Sequence, residues 1–174
     1  MTVFNSRNSV RTVLTAAGSA ALGFGLTGTA HAGTTSTDLS VEANVTANCT
    51  VSTSALDFGD IDSRSATAVT GTGGVSVTCT NGTSWTAAAD AGDGASATFA
   101  TRKMTSGANT LNYSLYTTNG YGTVWGDGTS GSATIGNTGN GSAQAITVYG
   151  RIPGGQSGVP AGSYSDLVSV TITY

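Results

Sequence analysis

The chain has little of the chemistry on which most enzymes and nucleic-acid binders rely. It carries one histidine, two cysteines and only 9% charged residues, with nine acids against six bases. Nucleic acid and anionic lipid both recruit clustered Lys and Arg, so neither suits so sparse and acidic a surface. Two cysteines and one histidine are too few ligands for a structural zinc site. There is no G-x-S-x-G turn, and the lone histidine, His31, falls in a leader, so a serine triad lacks its base. Nine acids formally permit paired-carboxylate glycosidase chemistry, but nothing singles out a pair. The composition points away from catalysis, cofactors and metals.

Residues 1–32 read as a secretory signal peptide. Arg7 and Arg11 form a basic n-region, Val13 to Leu26 an apolar h-region, and Ala30-His31-Ala32 a small-residue cleavage site. Thr15, Ser19 and the glycines at 18, 23, 25 and 28 leave the run short of the ~20 apolar residues a spanning helix needs. The expected product starts at Gly33, is exported through the periplasm and is not inserted in a membrane. Its basic residues are then Arg64, Arg102, Lys103 and Arg151. In an oxidising compartment, Cys49 and Cys79 are expected to pair as a disulfide.

Period-two alternation recurs at Leu56–Phe58, Val75–Thr80, Trp85–Ala89, Ala97–Met104, Leu111–Thr117, Ala145–Tyr149 and Tyr164–Tyr174. Gly, Asn, Asp and Ser clusters separate these runs, and no segment keeps a helical period with caps. One all-β domain, a sandwich or barrel, is expected over residues 47–174. The glycine- and serine-rich stretch from Gly120 to Gly162 is expected to hold ordered loops and short edge strands, because Val124-Trp125, Ala133–Ile135 and Ala145–Tyr149 interrupt it. The last run places Val168, Val170 and Ile172 on one face with no later strand to cover them.

The longest alternation lies directly behind the leader. From Thr35 to Val51 the odd positions are small or apolar and include Leu39, Val41, Ala43, Val45 and Cys49; the even positions are polar. This exceeds the usual strand of about 5–6 residues and starts where exported domains tend to have a loose tail. Two readings follow from the pattern. The segment is the first strand of its own domain, or it is a strand meant for another molecule's sheet.

A set of short motifs favours the second reading. Ala47-Asn48-Cys49-Thr50-Val51, Leu56-Asp57-Phe58-Gly59 and Val77-Thr78-Cys79-Thr80-Asn81-Gly82 come first; Leu111 to Tyr116 and Val124-Trp125-Gly126-Asp127-Gly128 follow. The tail runs from Val148-Tyr149-Gly150-Arg151-Ile152 through Ala161–Asp166 to Val170–Tyr174. In this order they resemble the spore coat protein U domain, the subunit module of archaic chaperone–usher pili. The resemblance implies an incomplete immunoglobulin-like sandwich completed by donor-strand complementation. It implies three kinds of partner: a periplasmic chaperone, an outer-membrane usher, and neighbouring copies or related pilin subunits. Residues 33–46 become an N-terminal donor-strand extension, with Leu39, Val41, Ala43 and Val45 filling an acceptor's pockets. Cys49 and Cys79 become the bridge between the first two strands. Ala43 departs from a uniformly bulky row and either enters a shallow pocket or marks where exchange begins. The expected role is a structural subunit of a surface fibre for adhesion and biofilm formation.

Other signals have plainer readings. Asp57, Asp60 and Asp62 suggest turns at a strand end rather than a kinase or calcium site. The three sequons at Asn44, Asn81 and Asn112 are ordinary in an Asn/Thr-rich chain. Trp85, Tyr121 and Trp125 raise an alternative, a secreted monomeric carbohydrate-binding or coat protein. In that reading Trp85 belongs to the core, while Tyr121 and Trp125 are exposed.

Overall fold

The computed structural model describes residues 31–174; the expected leader lies outside the described residues except for His31 and Ala32. The chain divides after Glu42. Residues 31–42 of the first unit are exposed and contain no helix or strand. The second unit, Ala43–Tyr174, holds all the regular structure among the described residues, which contain no helix. Its strands are β1 (Cys49–Ser54), β2 (Val69–Cys79), β3 (Ser84–Ala89), β4 (Arg102–Ser106), β5 (Asn109–Tyr116), β6 (Ile135–Thr138), β7 (Gln144–Ile152) and β8 (Val170–Thr173).

They form two antiparallel sheets, one in the order β1-β2-β7-β5-β4 and one in the order β6-β3-β8. Strand side chains alternate between faces, so a single register fixes which row enters the core. In the larger sheet the inward rows supply Val75, Val77 and Cys79 from β2, Leu111, Tyr113 and Leu115 from β5, and Val148 and Ile152 from β7. The smaller sheet answers with Trp85, Ala87 and Ala89 of β3. Trp125 comes from a loop, not a strand, and joins the two layers. Its backbone N–H donates to Leu115 O at 2.9 Å and its indole N–H to Ala87 O at 3.1 Å.

Most expected strands are present with shifted bounds, but three segments differ from the alternation, the first being Ala97–Thr101, which turns back on itself through Thr98–Thr101 bonds before β4 begins at Arg102. Leu56–Phe58 is not a ladder strand: the chain leaves β1 and lays both side chains across a glycine floor. A Cβ on Gly71, Gly73 or Gly150 would meet Leu56, and on Gly71 or Gly150 also Phe58, so only glycine lets this segment approach the sheet. Tyr164–Ser169 makes a single bridge, Ser165 to Thr105, before β8 begins at Val170. Within the glycine-rich stretch, β6 is an edge strand of the smaller sheet and β7 is central to the larger.

Cys49 and Cys79 face one another in register on β1 and β2 and are bonded. The bridge closes a loop with a sequence separation of 30. It also fastens an edge strand that has a ladder partner on one side only. Replacing both cysteines by alanine is expected to lower unfolding free energy by about 3–4 kcal/mol, the chain-entropy value for such a loop. A urea midpoint unchanged from the parent would contradict this.

Candidate functional site

The two sheets are edged on one side by strands that lack a second partner. β1 pairs only with β2, and β8 only with β3. Directly opposed residues in an antiparallel pair point to the same face. Val51 and Thr53 of β1 are paired with Val77 and Val75, so they face the interior. Val77 is 0% exposed, whereas Val51 beside it is 42% exposed. An inward-facing valine left open to solvent marks a place in the sandwich where a covering strand is missing.

The opening is a long groove formed by two adjoining cavities. The first, of about 320 Å³, has Thr53–Leu56 on one wall and Tyr164–Asp166 with Val168 and Val170 on the other; Val75, Leu115, Val148 and Trp125 lie at its base. The second, of about 580 Å³, runs between Asp57–Ser63 and Val159–Ser163, with Leu111 and Ile152 beneath. Leu56, Phe58, Met104 and Tyr164 line both. The first cavity is lined mainly by apolar side chains and is flanked by the ends of β1 and β8, whereas the second is walled by loop residues and is more polar. Such a groove fits an extended peptide with apolar side chains at alternate positions.

Two polar anchors hold the groove's walls. Arg102 is fully buried and donates to Asp90 O, Phe99 O and Trp125 O, so its charge rests on backbone carbonyls rather than on a carboxylate. Burial pushes the Arg102 pKa down, while Tyr113, Asp90 and Asp166 oppose the shift. The second anchor is Tyr113, whose phenol donates to Asp166 Oδ2 at 2.6 Å. Asp166 Oδ1 in turn accepts the N–H groups of Asp93 and Leu167, each at 2.9 Å. Gly92 is needed there twice: its φ is +82°, and a Cβ would collide with the Asp166 carboxylate. These contacts tie the wall at residues 166–167 to β5 and to the loop after β3.

The residues singled out in the sequence divide accordingly. Cys49 and Cys79 are joined. Leu39, Val41 and Val45 are 86%, 84% and 82% exposed, Ala43 is exposed, and none of the four lies in a strand. Asp57 and Asp62 each accept a backbone N–H two residues on, from Gly59 and Arg64, as turn residues do. Trp85 and Trp125 are both 2% exposed, so the expectation of an exposed Trp125 is corrected: its indole and backbone are bonded into the core. Tyr121 remains half-buried, stacked edge-on against Tyr116 with Arg151 over its ring. The alternation alone did not reveal Arg102, the Tyr113–Asp166 bond or the glycine floor under Leu56. The glycines at 71, 73 and 150, lying inside strands, were the available signal for that floor.

Comparison with known proteins agrees with this architecture. The family model of the Spore Coat Protein U domain matches residues 34–171. Protein U of Myxococcus xanthus is 36% identical over 162 residues, covering 83% of this chain and 88% of that protein. Among solved structures, the chain is similar to one from the CsuC–CsuE chaperone–tip adhesion subunit pre-assembly complex of the archaic chaperone-usher Csu pili of Acinetobacter baumannii. The TM-score is 0.53 at 19% identity over 75% of this chain, which spans 40% of the length of that one. The shared feature is the fold, an all-β, immunoglobulin-like arrangement of two antiparallel sheets.

The Tyr113 anchor predicts a signature at high pH. Burial, then the hydrogen bond to Asp166, raises the phenol's pKa well above its ordinary 10.0. Above that value the unfolded chain loses the proton while the folded chain keeps it. The native state then binds more protons, so stability falls as pH rises and is intact below pH 10.0. Tyr113→Phe is expected to reduce the slope of unfolding free energy between about pH 10 and 11 by at most ~1.4 kcal/mol per unit. It should also cost about 1–3 kcal/mol at neutral pH. Parallel stability–pH curves for the two proteins would overturn the assignment.

Proposed function

Since the chain belongs to the Spore Coat Protein U domain family, we propose that it is a structural subunit of an archaic chaperone–usher pilus, polymerising by donor-strand exchange. The observation that carries this is the open groove between the two sheets, with Thr53 and Ser54 of β1 on one side and Val170 of β8 on the other. The same chain carries a segment with the matching pattern, Leu39, Val41, Ala43 and Val45, that forms no strand of its own. In this reading residues 33–46 are the donor extension and residues 47–174 the acceptor domain. A periplasmic chaperone fills the groove first, and the outer-membrane usher exchanges it for the extension of a neighbouring copy or related pilin. The assembled fibre stands on the cell surface, where it serves adhesion and biofilm formation, and the subunit is not an enzyme.

The energetics suit a fibre without covalent links. A strand in the groove adds backbone hydrogen bonds along β8 that each net about 1 kcal/mol. Burying Leu39, Val41 and Val45 contributes roughly 1.5–3 kcal/mol apiece. That total is comparable with the ~5–15 kcal/mol that holds a typical domain together. Association entropy takes back several kcal/mol, and the exchange of one strand for another avoids ever exposing the groove.

The reading is tested by deleting residues 33–45 and expressing the chain with its chaperone. The truncated subunit is expected to remain chaperone-bound and to accept a donor strand but not to give one. On unheated detergent gels the oligomer ladder of the full chain should then vanish, and mixing it with full-length chain should yield shortened ladders. A full ladder from the truncated chain alone would refute donor-strand polymerisation.

A further inference from the structure

The donor row has one small member, Ala43, between Val41 and Val45, and the two cavities of the groove share one set of lining side chains. Leu56, Phe58, Met104 and Tyr164 line both cavities and stand between them. Two of the four are fixed in place. The Phe58 ring packs edge-on against Tyr113 with centroids 6.2 Å apart, and Tyr113 is itself bonded to Asp166. The Tyr164 hydroxyl donates to Pro160 O at 2.9 Å. Leu56 and Phe58 are supported from below by Gly150, where a Cβ would come within 2.7 Å of each. The partition therefore cannot sink toward the sheet without displacing β7.

Resting on the donor-strand reading, we infer that Ala43 sets the register of strand exchange by crossing this partition. The occupant of the groove is residues 39–45 of a second copy of this chain. Side chains on one face of a strand recur about every 6.6–6.8 Å. With Ala43 over the Leu56–Phe58–Met104–Tyr164 partition, Val41 and Val45 drop into the cavities on its two sides, and Leu39 lies one step beyond Val41. Any register shifted by two residues puts a valine on the partition and leaves part of a cavity unfilled. Both errors are costly in a packed interior, through overpacking in one place and a void in another. A slip by one residue turns Ser40, Glu42 and Asn44 inward instead, which buries polar groups without partners. The departure from a bulky row is thus complementary to the acceptor rather than a weak point in the donor.

The test uses the full chain with its chaperone and reads polymer yield on unheated detergent gels. Ala43→Leu is expected to reduce species larger than the dimer by at least about tenfold, while Ala43→Ser leaves them within about twofold. Position 43 is exposed in the subunit, so neither change disturbs its fold. Trimming the partition with Met104→Ala is expected to restore the Ala43→Leu ladder. Leu56→Ala does the same by a second route should the first variant fail to accumulate. Two results overturn the inference: an Ala43→Leu ladder equal to the parent's, or a loss that neither trimmed partition relieves. A parent chain that forms no ladder at all would instead remove the donor-strand reading beneath it.

Discussion

The rest of the structure depends on one constraint: an apolar interior with two edge strands on the same opening and no strand between them. β1 and β8 each have a single partner. Protein interiors pack to the density of organic crystals, so an apolar gap of this size tends to close unless its walls are held. The walls here are held from outside the gap. The disulfide fastens β1 to β2, and the Phe58 and Leu56 side chains rest on glycines of β2 and β7. The opposite wall is tied by Asp166 to Tyr113 and to the loop after β3. Arg102 locks that loop to Trp125 and Phe99 through carbonyl oxygens alone. A rigid groove costs less to fill than one that must first be ordered.

The buried Arg102 fits the same logic. A cation in the interior is expensive unless its hydrogen bonds are met, and Arg102 donates four bonds to three carbonyls in chain segments that have no ladder partners there. It thereby replaces secondary structure as the organiser of an irregular region. Trp125 does the equivalent for the layers, since its backbone belongs to β5 and its indole to β3. An irregular loop that meets its own polar groups in this way can be buried at all.

What the sequence made legible was the part governed by period two. The alternations at Val75–Thr80, Trp85–Ala89, Leu111–Thr117 and Ala145–Tyr149 each lie largely within an observed strand, because a half-buried sheet leaves one face to solvent and writes that pattern into the chain. The cysteine pair was legible for a different reason, the oxidising compartment expected from the sequence of the leader. Leu56 and Phe58 carried the same alternation yet lie against a glycine floor, because two apolar residues in alternation fit a ladder and a groove wall equally well. Trp125 sat in a glycine-rich stretch where nothing distinguishes a solvent-facing aromatic from a plug between sheets. Arg102 and the Tyr113–Asp166 bond were not readable, since both depend on contacts between residues far apart in the chain. The groove itself is a relation between β1 and β8, and no local pattern encodes it.

One sequence feature bears on where the row of Leu39, Val41, Ala43 and Val45 can pair. The row ends at Val45 and β1 begins at Cys49, so only Thr46, Ala47 and Asn48 connect them. For the row to run back beside β1 in its own groove, those residues would have to form a tight reversal. Such turns call for positive φ, usually supplied by glycine, and there is no glycine between Gly33 and Gly59. Asn48 is also engaged in continuing β1: its N–H donates to Thr80 Oγ1 at 3.1 Å and its carbonyl accepts from Thr80 N at 2.9 Å. Asn48 therefore continues the pairing of β1 with β2 rather than turning away from it. On the donor-strand proposal, a short link of this kind lets the row reach another subunit more readily than its own groove. In that proposal each copy gives a strand to the next without a two-fold axis, and a contact of that kind propagates head to tail as a fibre rather than closing as a dimer.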